Sequence, residues 1–272
     1  MTKNRTDIGL KTELDGKLKN VLNARTLADS FPLLARRMKP GLRVLDVGCG
    51  TGAITRGIAE AVGPQGIAVG VDSNAALIAE ARARHAGTPG LTFDVADVYS
   101  LAPVGAFDVV AASRLLVWLP DPALALASLS GATRPGGTLL IADYNHDKIE
   151  WSPEPPDSMK KFYAAYLRWR SDKGLDNAVA DRLADLMSGA GLRDIRVYAQ
   201  HEEITRGQPR FEASASIWAD TAASRGAQMA RDGYGTPEAW ERAESEYRRW
   251  VADKAVSIKM YMLAAEGFKP DL

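Results

Sequence analysis

An α/β fold is what this sequence predicts: a mostly parallel sheet with helices on both faces. Three observations carry the prediction. Short β-rich runs alternate with helix-forming stretches from residue 42 to residue 144. The first run ends in VLDVGCGTG (44–52), three alternating glycines at a strand–helix junction. The next two runs end in aspartates, Asp72 and Asp97. Such alternation sets successive strands parallel, with crossover helices covering the sheet.

Taken in order, residues 9–38 read as helix, with Leu14, Leu18, Val21, Leu22, Leu27, Leu33 and Leu34 at helical spacing and Pro32 as a break. Strands are expected at 42–47, 67–72, 91–97, 107–113 and 138–144, and helices at 53–62, 74–86 and 122–133. The last of these opens on Asp121-Pro122, an N-cap followed by proline at the first helical position. NHDKIEWSPEPPD (145–157) reads as a loop from its proline and polar content. An aromatic helix follows at 158–170, then a helix at 177–190 ending at Gly191 and a strand at 194–200. Helices at 211–230 and 237–254 precede VSIKMYMLAAEG (256–267), which reads as a late edge or inserted strand.

Composition narrows the function. The chain of 272 residues suffices for one domain, or one domain with a cap, and its 46% hydrophobic and 25% charged residues are ordinary for a globular protein. Zero net charge, with a pI near 6.9, argues against a duplex-binding face. Cys49 is the one cysteine, so neither an intrachain disulfide nor a multi-cysteine metal site is expected. No apolar run approaches the ~20 residues of a membrane span. MTKNRTDIGLKTELDGK, at the start, lacks the apolar stretch of a secretion signal. The expectation is a cytoplasmic protein, monomer or homodimer, with no metal, membrane or nucleic-acid partner.

Glycine loops at strand ends usually cradle phosphate, yet here Asp46 stands two residues before the first glycine. A diphosphate beside a carboxylate in low dielectric is repelled by several kcal/mol, on the order of the Coulomb energy of close like charges. The loop therefore suits a ligand that brings a positive group, such as an ammonium. Asp72 lies where a carboxylate can accept from both hydroxyls of a ribose. Asp97, one strand further out, is placed for an adenine amino group. An ammonium end, a diol and a base together outline S-adenosylmethionine.

At these residues the sequence resembles the class I S-adenosylmethionine-dependent methyltransferases. VLDVGCGTG matches the family's first motif, VGVDSN its acidic second-strand motif, DVADV the third and RPGGTLLIAD the fifth-strand motif, in order and spacing. The resemblance implies a Rossmann-like, seven-stranded, mostly parallel sheet whose last strand is antiparallel, here Ser257–Ala265, plus a helical cap. It implies a core of 39–205 and 255–272, an N-terminal helical segment or lid at 1–38, and cap insertions at 145–176 and 206–254. It places Asp46, Gly48 and Gly50 at the methionine portion, with Cys49 as a small loop residue rather than a nucleophile. Asp72 is to hold the ribose, with Ser73 beside it; Asp97 and Val98 frame the adenine, and Ser113 lies near the transferred methyl. Arg25, in a leading helix, is a candidate to meet the cofactor's carboxylate.

For the acceptor, residues just past the fifth strand are the candidates: Tyr144, Asn145 and His146, the last as a general base. Phe162 and Tyr166 lie on one face of the aromatic helix, and Trp118 and Trp151 can supply further walls. Ser113-Arg114-Leu115-Leu116 replaces the Asn/Asp-Pro-Pro-aromatic motif of methyltransferases acting on nucleobase or glutamine amino groups. The favoured acceptor is a small molecule, natural-product or quinone-like, methylated at oxygen or nitrogen. The alternatives are an NAD-dependent oxidoreductase, because Gly48, Gly50 and Ala53 satisfy the looser G-x-G-x-x-G/A pattern, or a non-catalytic cofactor-binding protein on the same scaffold.

Overall fold

The computed structural model describes residues 22–101 and 105–271. Its strands are β1 (Arg43–Val47), β2 (Ile67–Asp72), β3 (Leu91–Val95), β4 (Phe107–Ser113), β5 (Thr133–Tyr144), β6 (Glu150–Ser152), β7 (Arg193–Ala199), β8 (Glu202–Thr205), β9 (Ser257–Met260) and β10 (Met262–Phe268). Its helices are α1 (Leu27–Ser30), α2 (Pro32–Arg37), α3 (Ala53–Val62), α4 (Ala75–Arg84), α5 (Pro122–Ala132), α6 (Asp157–Asp172), α7 (Leu183–Gly189), α8 (Phe211–Ala215), α9 (Ile217–Arg231) and α10 (Pro237–Asp253). The described residues form two compact units, a core unit of 22–144, 178–200 and 262–271 and a second unit of 145–177 and 201–261.

The core unit holds a seven-stranded sheet in the order β3-β2-β1-β4-β5-β10-β7. Strands β1 to β5 pair in parallel. Strand β10 is antiparallel between β5 and β7, with Ala264 opposite Ala142 on one side and Tyr198 on the other. The period of two along each strand divides the core. Leu45, Val47, Val110, Ala112, Leu139 and Ile141 face Ala125, Leu126 and Leu129 of α5, with Leu183 and Met187 of α7. Val44, Ala68, Val109, Ala111, Leu140 and Ala142 face Leu27, Phe31 and Leu34, with Ile58 and Val62 of α3. Burial on both faces explains why these strands read as continuous apolar runs rather than alternating ones.

Local chemistry starts and stops the helices where the sequence suggested. Asn74 caps α4 by accepting from the Ala76 and Leu77 amides, and Asp121 caps α5 with Pro122 at its first turn. The expected leading helix is interrupted twice, at Thr26, whose side chain caps α1, and at Pro32, where α2 begins. The part of that expected helix before Leu22, with Leu14, Leu18 and Val21, lies outside the described residues. Helix α2 is tied to β10 by Arg37, whose Nε and Nη2 donate to the buried Glu266 carboxylate at 2.7 and 2.6 Å. Tyr198 donates a third bond to Glu266, at 2.8 Å. Arg37 holds the pKa of this carboxyl below its usual value.

Two expectations need correction. The 145–157 segment is not all loop: Glu150–Ser152 forms β6, antiparallel to β9, with Trp151 opposite Ile258. The 256–267 run is not one strand. It breaks at Tyr261, so that Ser257–Met260 joins β6 and β8 in the three-stranded sheet of the second unit, and Met262–Phe268 alone fills the antiparallel place in the core sheet. Strand β8 was also unforeseen. In the second unit α6, α9 and α10 bury Phe162, Tyr166, Trp169, Trp218, Trp240 and Tyr247. No helix among the described residues is long and apolar enough to cross a membrane.

Candidate functional site

The glycine loop leaves β1 and enters α3 with Gly48, Gly50 and Gly52 all at positive φ (+77°, +56° and +78°). At Gly52 the requirement is absolute: a Cβ would lie 2.5 Å from Phe93 Cζ and 3.1 Å from His85 Cδ2. Amides of Gly48 and Cys49 both donate to the Val71 carbonyl, at 2.8 and 3.1 Å, which pins the loop to the end of β2. The Gly50 amide donates to Asp72 Oδ2 at 3.0 Å, while Asp72 Oδ1 accepts from the Asn74 amide at 2.9 Å. Asp72 thus locks the loop's shape.

Asp46 ends up 5% exposed, with Oδ2 accepting from the Thr55 hydroxyl at 2.6 Å. Burial pushes its pKa up to about 6, Thr55 opposes the shift, and Asp72 adds to it. Such a carboxylate gains from any cation brought to it. Arg25, Asp46, Gly48, Cys49, Gly50 and Ser113 line one cavity, together with Leu22, Thr51, Ala53 and Ile54. Thr51 Oγ1 is buried there with no hydrogen-bond partner among the described residues. Burial raises the Cys49 thiol far above its usual pKa, in keeping with an inert loop residue.

Asp97 closes the segment after β3. Its Oδ1 accepts from the Tyr99 amide at 3.0 Å, starting the 3-10 turn Val98–Ser100. Asp72 pairs with Val95 across the sheet and accepts from the Ala96 amide, so Asp97 lies just past the end of the Asp72 strand. Ser73 sits between Asp72 and the cap residue Asn74. The three aspartates therefore stand at the C-terminal ends of three neighbouring strands, although only Asp46 of them lines the cavity itself.

Ser113 is joined by a residue that sequence reasoning passed over. Arg114, at a left-handed φ of +58° and buried, donates to Ser113 Oγ (2.6 Å), the Tyr144 hydroxyl (2.8 Å) and the Ser30 carbonyl (3.1 Å). It links β4, β5 and α1. Thr55 was missed as well. The one signal for it was its place on the first turn of α3, across the loop from Asp46. Behind β4, buried Asp143 accepts from the Val117 and Tyr144 amides, at 3.1 and 2.8 Å, and burial lifts its pKa to about 6.

The acceptor candidates divide between the units. Trp118, 40% exposed, and Tyr144 belong to the core unit. Asn145, His146, Trp151, Phe162 and Tyr166 belong to the second. Asn145 is buried and accepts from the Asp147 amide at 2.9 Å. His146 is buried; its carbonyl accepts from Tyr163 Oη at 2.7 Å, and its ring stands edge-on to Trp218 at 5.9 Å. Burial, helped by Arg170, drives its pKa well below the usual value, so the imidazole is neutral at physiological pH. Trp151 donates to Tyr247 Oη at 3.2 Å, and Phe162 stacks on Tyr166 and meets Trp240 edge-on.

The family described as "Methyltransferase domain" matches residues 38–178, more than half of the chain. The chain belongs to this family, the class I S-adenosylmethionine-dependent methyltransferases, whose cofactor is S-adenosylmethionine; the match removes the NAD-dependent alternative. It is 34% identical to nocamycin O-methyltransferase of Saccharothrix syringae over 69% of this chain and 74% of that one. It is 32% identical to trans-aconitate 2-methyltransferase of Deinococcus radiodurans over 58% of this chain and 60% of that one. The YcgJ protein of Bacillus subtilis shares the fold, with a TM-score of 0.58, 17% identity, and coverage of 89% of this chain and 99% of that one. The chain spans 47–63% of the length of the first curated relatives it matches.

The lining of the cavity suits the amino-acid end of that cofactor. It offers a carboxylate made costly by burial, a guanidinium on the same lining and an unsatisfied hydroxyl, which suit an ammonium, a carboxylate and a further polar atom. A pH dependence follows. An ammonium needs Asp46 ionised, and its pKa in the free protein is about 6. Affinity for S-adenosylhomocysteine, measured by calorimetry, is expected to be flat above that pH and to fall about tenfold per unit below it.

Proposed function

We propose that this chain transfers a methyl group from S-adenosylmethionine to a small-molecule acceptor, at oxygen or nitrogen. The observation that carries the reading is the pairing of opposite charges, Arg25 and Asp46, on the lining of one cavity at the end of β1, which suits the zwitterionic end of the cofactor. In this reading Asp46 takes the ammonium, Arg25 the carboxylate, Asp72 with Ser73 the ribose, and Asp97 with Val98 the adenine. Bound S-adenosylmethionine supplies an electrophilic methyl on sulfonium. The protein's task is to hold a nucleophilic atom in line with it.

The candidates for acceptor recognition are Asn145, Trp151, Phe162 and Tyr166 in the second unit, and Trp118 and Tyr144 in the core unit. The relatives named for nocamycin O-methylation and for trans-aconitate support an oxygen on a natural product or an organic acid, and those named for ubiquinone/menaquinone C-methylation support a quinone-like acceptor equally. His146, neutral at physiological pH, is the group to remove a proton from a hydroxyl acceptor.

The test is transfer of label from methyl-labelled S-adenosylmethionine to a panel of phenols, amines and organic acids. His146→Ala is expected to lower kcat on a hydroxyl acceptor about 100-fold, the usual worth of a positioned base, while cofactor affinity stays within a few-fold. An unchanged kcat removes His146 from the mechanism. Cofactor binding without label transfer to any class of acceptor points instead to a non-catalytic binding protein.

A further inference from the structure

On the buried face of α9 the second unit carries hydrogen-bond donors for which the described residues supply no acceptor. Arg225, on α9, is 7% exposed and makes neither a hydrogen bond nor an ion pair with the described residues. Burial lowers its pKa, and the positive charge of Arg170 opposes its own. Trp218 is 3% exposed, and its Nε1–H has no partner among the described residues. These two lie seven residues apart on α9, on its buried face with Ala222 and Met229. Side chains on a helix lean toward its N-terminus, which carries the Arg225 guanidinium back toward Trp218.

Across from them on α6, Tyr166 places its ring 6.0 Å from that of Trp218. Its oxygen accepts from Arg170 Nη1 at 3.4 Å, and its own O–H finds no acceptor among the described residues. Arg170 is fully buried, held by Asn177 Oδ1 at 2.8 Å, with its guanidinium 5.5 Å over the Tyr166 ring. Asp220, the carboxylate on α9 nearest in sequence to Trp218, is taken by Arg248 at 2.6 Å. Buried charges are ordinarily paired, so a guanidinium, an indole N–H and a phenol O–H converging without an acceptor mark a place for an anion.

We infer that Arg225, Trp218 and Tyr166 bind the carboxylate group of an organic acid with an apolar or aromatic body, a binding site of the second unit that goes beyond the methyltransferase reading and does not rest on it. A carboxylate matches the planar fork of Arg225, and the rings of Tyr163 and Tyr166, 4.6 and 6.0 Å from that of Trp218, suit a flat body beside it.

The test titrates the full chain with benzoate, with benzamide as neutral isostere and with inorganic phosphate. Binding is followed by calorimetry and by the indole N–H resonance of Trp218 in a 15N spectrum, assigned with Trp218→Phe. The expected result is millimolar or tighter benzoate binding with a shift of that resonance, no binding of benzamide, and weaker binding of phosphate. Arg225→Met is expected to weaken benzoate about tenfold or more, the worth of one charge-assisted contact, and Trp218→Phe less. S-adenosylhomocysteine affinity, measured in parallel, should be unaltered in both variants and reports that they fold. Absent benzoate binding with S-adenosylhomocysteine binding intact overturns this inference alone. So does equal affinity for benzamide, preference for phosphate, or full retention of benzoate binding in Arg225→Met. Failure of the wild-type chain to bind S-adenosylhomocysteine counts against the methyltransferase reading instead.

Discussion

Asp46→Asn is expected to weaken S-adenosylhomocysteine binding by about 100-fold, corresponding to roughly 2.7 kcal/mol. Two unit charges 4 Å apart at an effective dielectric near 20 attract by about 4 kcal/mol, and the cost of taking the ammonium out of water leaves part of that. Asn keeps the shape and can still accept from the Thr55 hydroxyl, so the loop should stand. In the free protein the same change is stabilising near neutral pH. Asp46 has its native pKa lifted to about 6, so its ionised form is disfavoured in the fold at higher pH, and an uncharged amide escapes that cost. Opposite signs for cofactor affinity and free-protein melting temperature separate a lost ionic contact from a damaged fold. Calorimetry and thermal melting read both. A loss under threefold would show that Asp46 does not face the ammonium.

Gly52→Ala is the second large effect, and it reaches function through the backbone. At φ +78° an alanine is strained by about 1 kcal/mol, and its Cβ would stand 2.5 and 2.6 Å from two atoms of the Phe93 ring. Phe93 is 5% exposed and packed with Ile78 and Ala81, so it has little room to retreat. Overpacking of this kind costs about 1–3 kcal/mol. A total of about 2–4 kcal/mol corresponds to a melting temperature lower by roughly 5–15 °C for a chain of this size. Gly52 is also the residue from which α3 starts, so a shift there moves Thr55 away from Asp46 and weakens the cofactor as well. In a Phe93→Ala background the clash disappears while the strain remains, so the added cost of Gly52→Ala should shrink to about 1 kcal/mol. A melting temperature unmoved by Gly52→Ala would contradict the described loop.

The sequence made the core sheet legible because its strands are buried on both faces and bounded by strong punctuation. The apolar run of β1 ends in glycines, and Asp121-Pro122 opens α5 as an N-cap should. Strand β6 stayed hidden because it is three residues long, sits beside Pro153 and pairs with β9 more than a hundred residues later. The 256–267 run misled for a related reason. Two strands in different sheets follow one another with only Tyr261 between them, and no local breaker marks the join.

The site divides in the same way. Asp46, Asp72 and Asp97 were legible because each stands at a strand end beside a motif. Thr55 and Arg114 act through tertiary hydrogen bonds; position on the first turn after the loop is the one signal for Thr55, and nothing in SRLL announces Arg114. Arg225 was least legible of all. Helical periodicity predicts which face is buried, but not that an arginine on that face finds no counter-ion among the described residues.

The central claim is electrostatic: the cavity beyond β1 selects a cationic amino-acid nucleoside over a diphosphate. Parallel calorimetric titration of the wild-type chain with S-adenosylhomocysteine and with NADH at pH 8 tests it most directly. The account predicts saturable one-to-one binding of S-adenosylhomocysteine and no heat from NADH. Saturable binding of NADH, with S-adenosylhomocysteine silent, would contradict it.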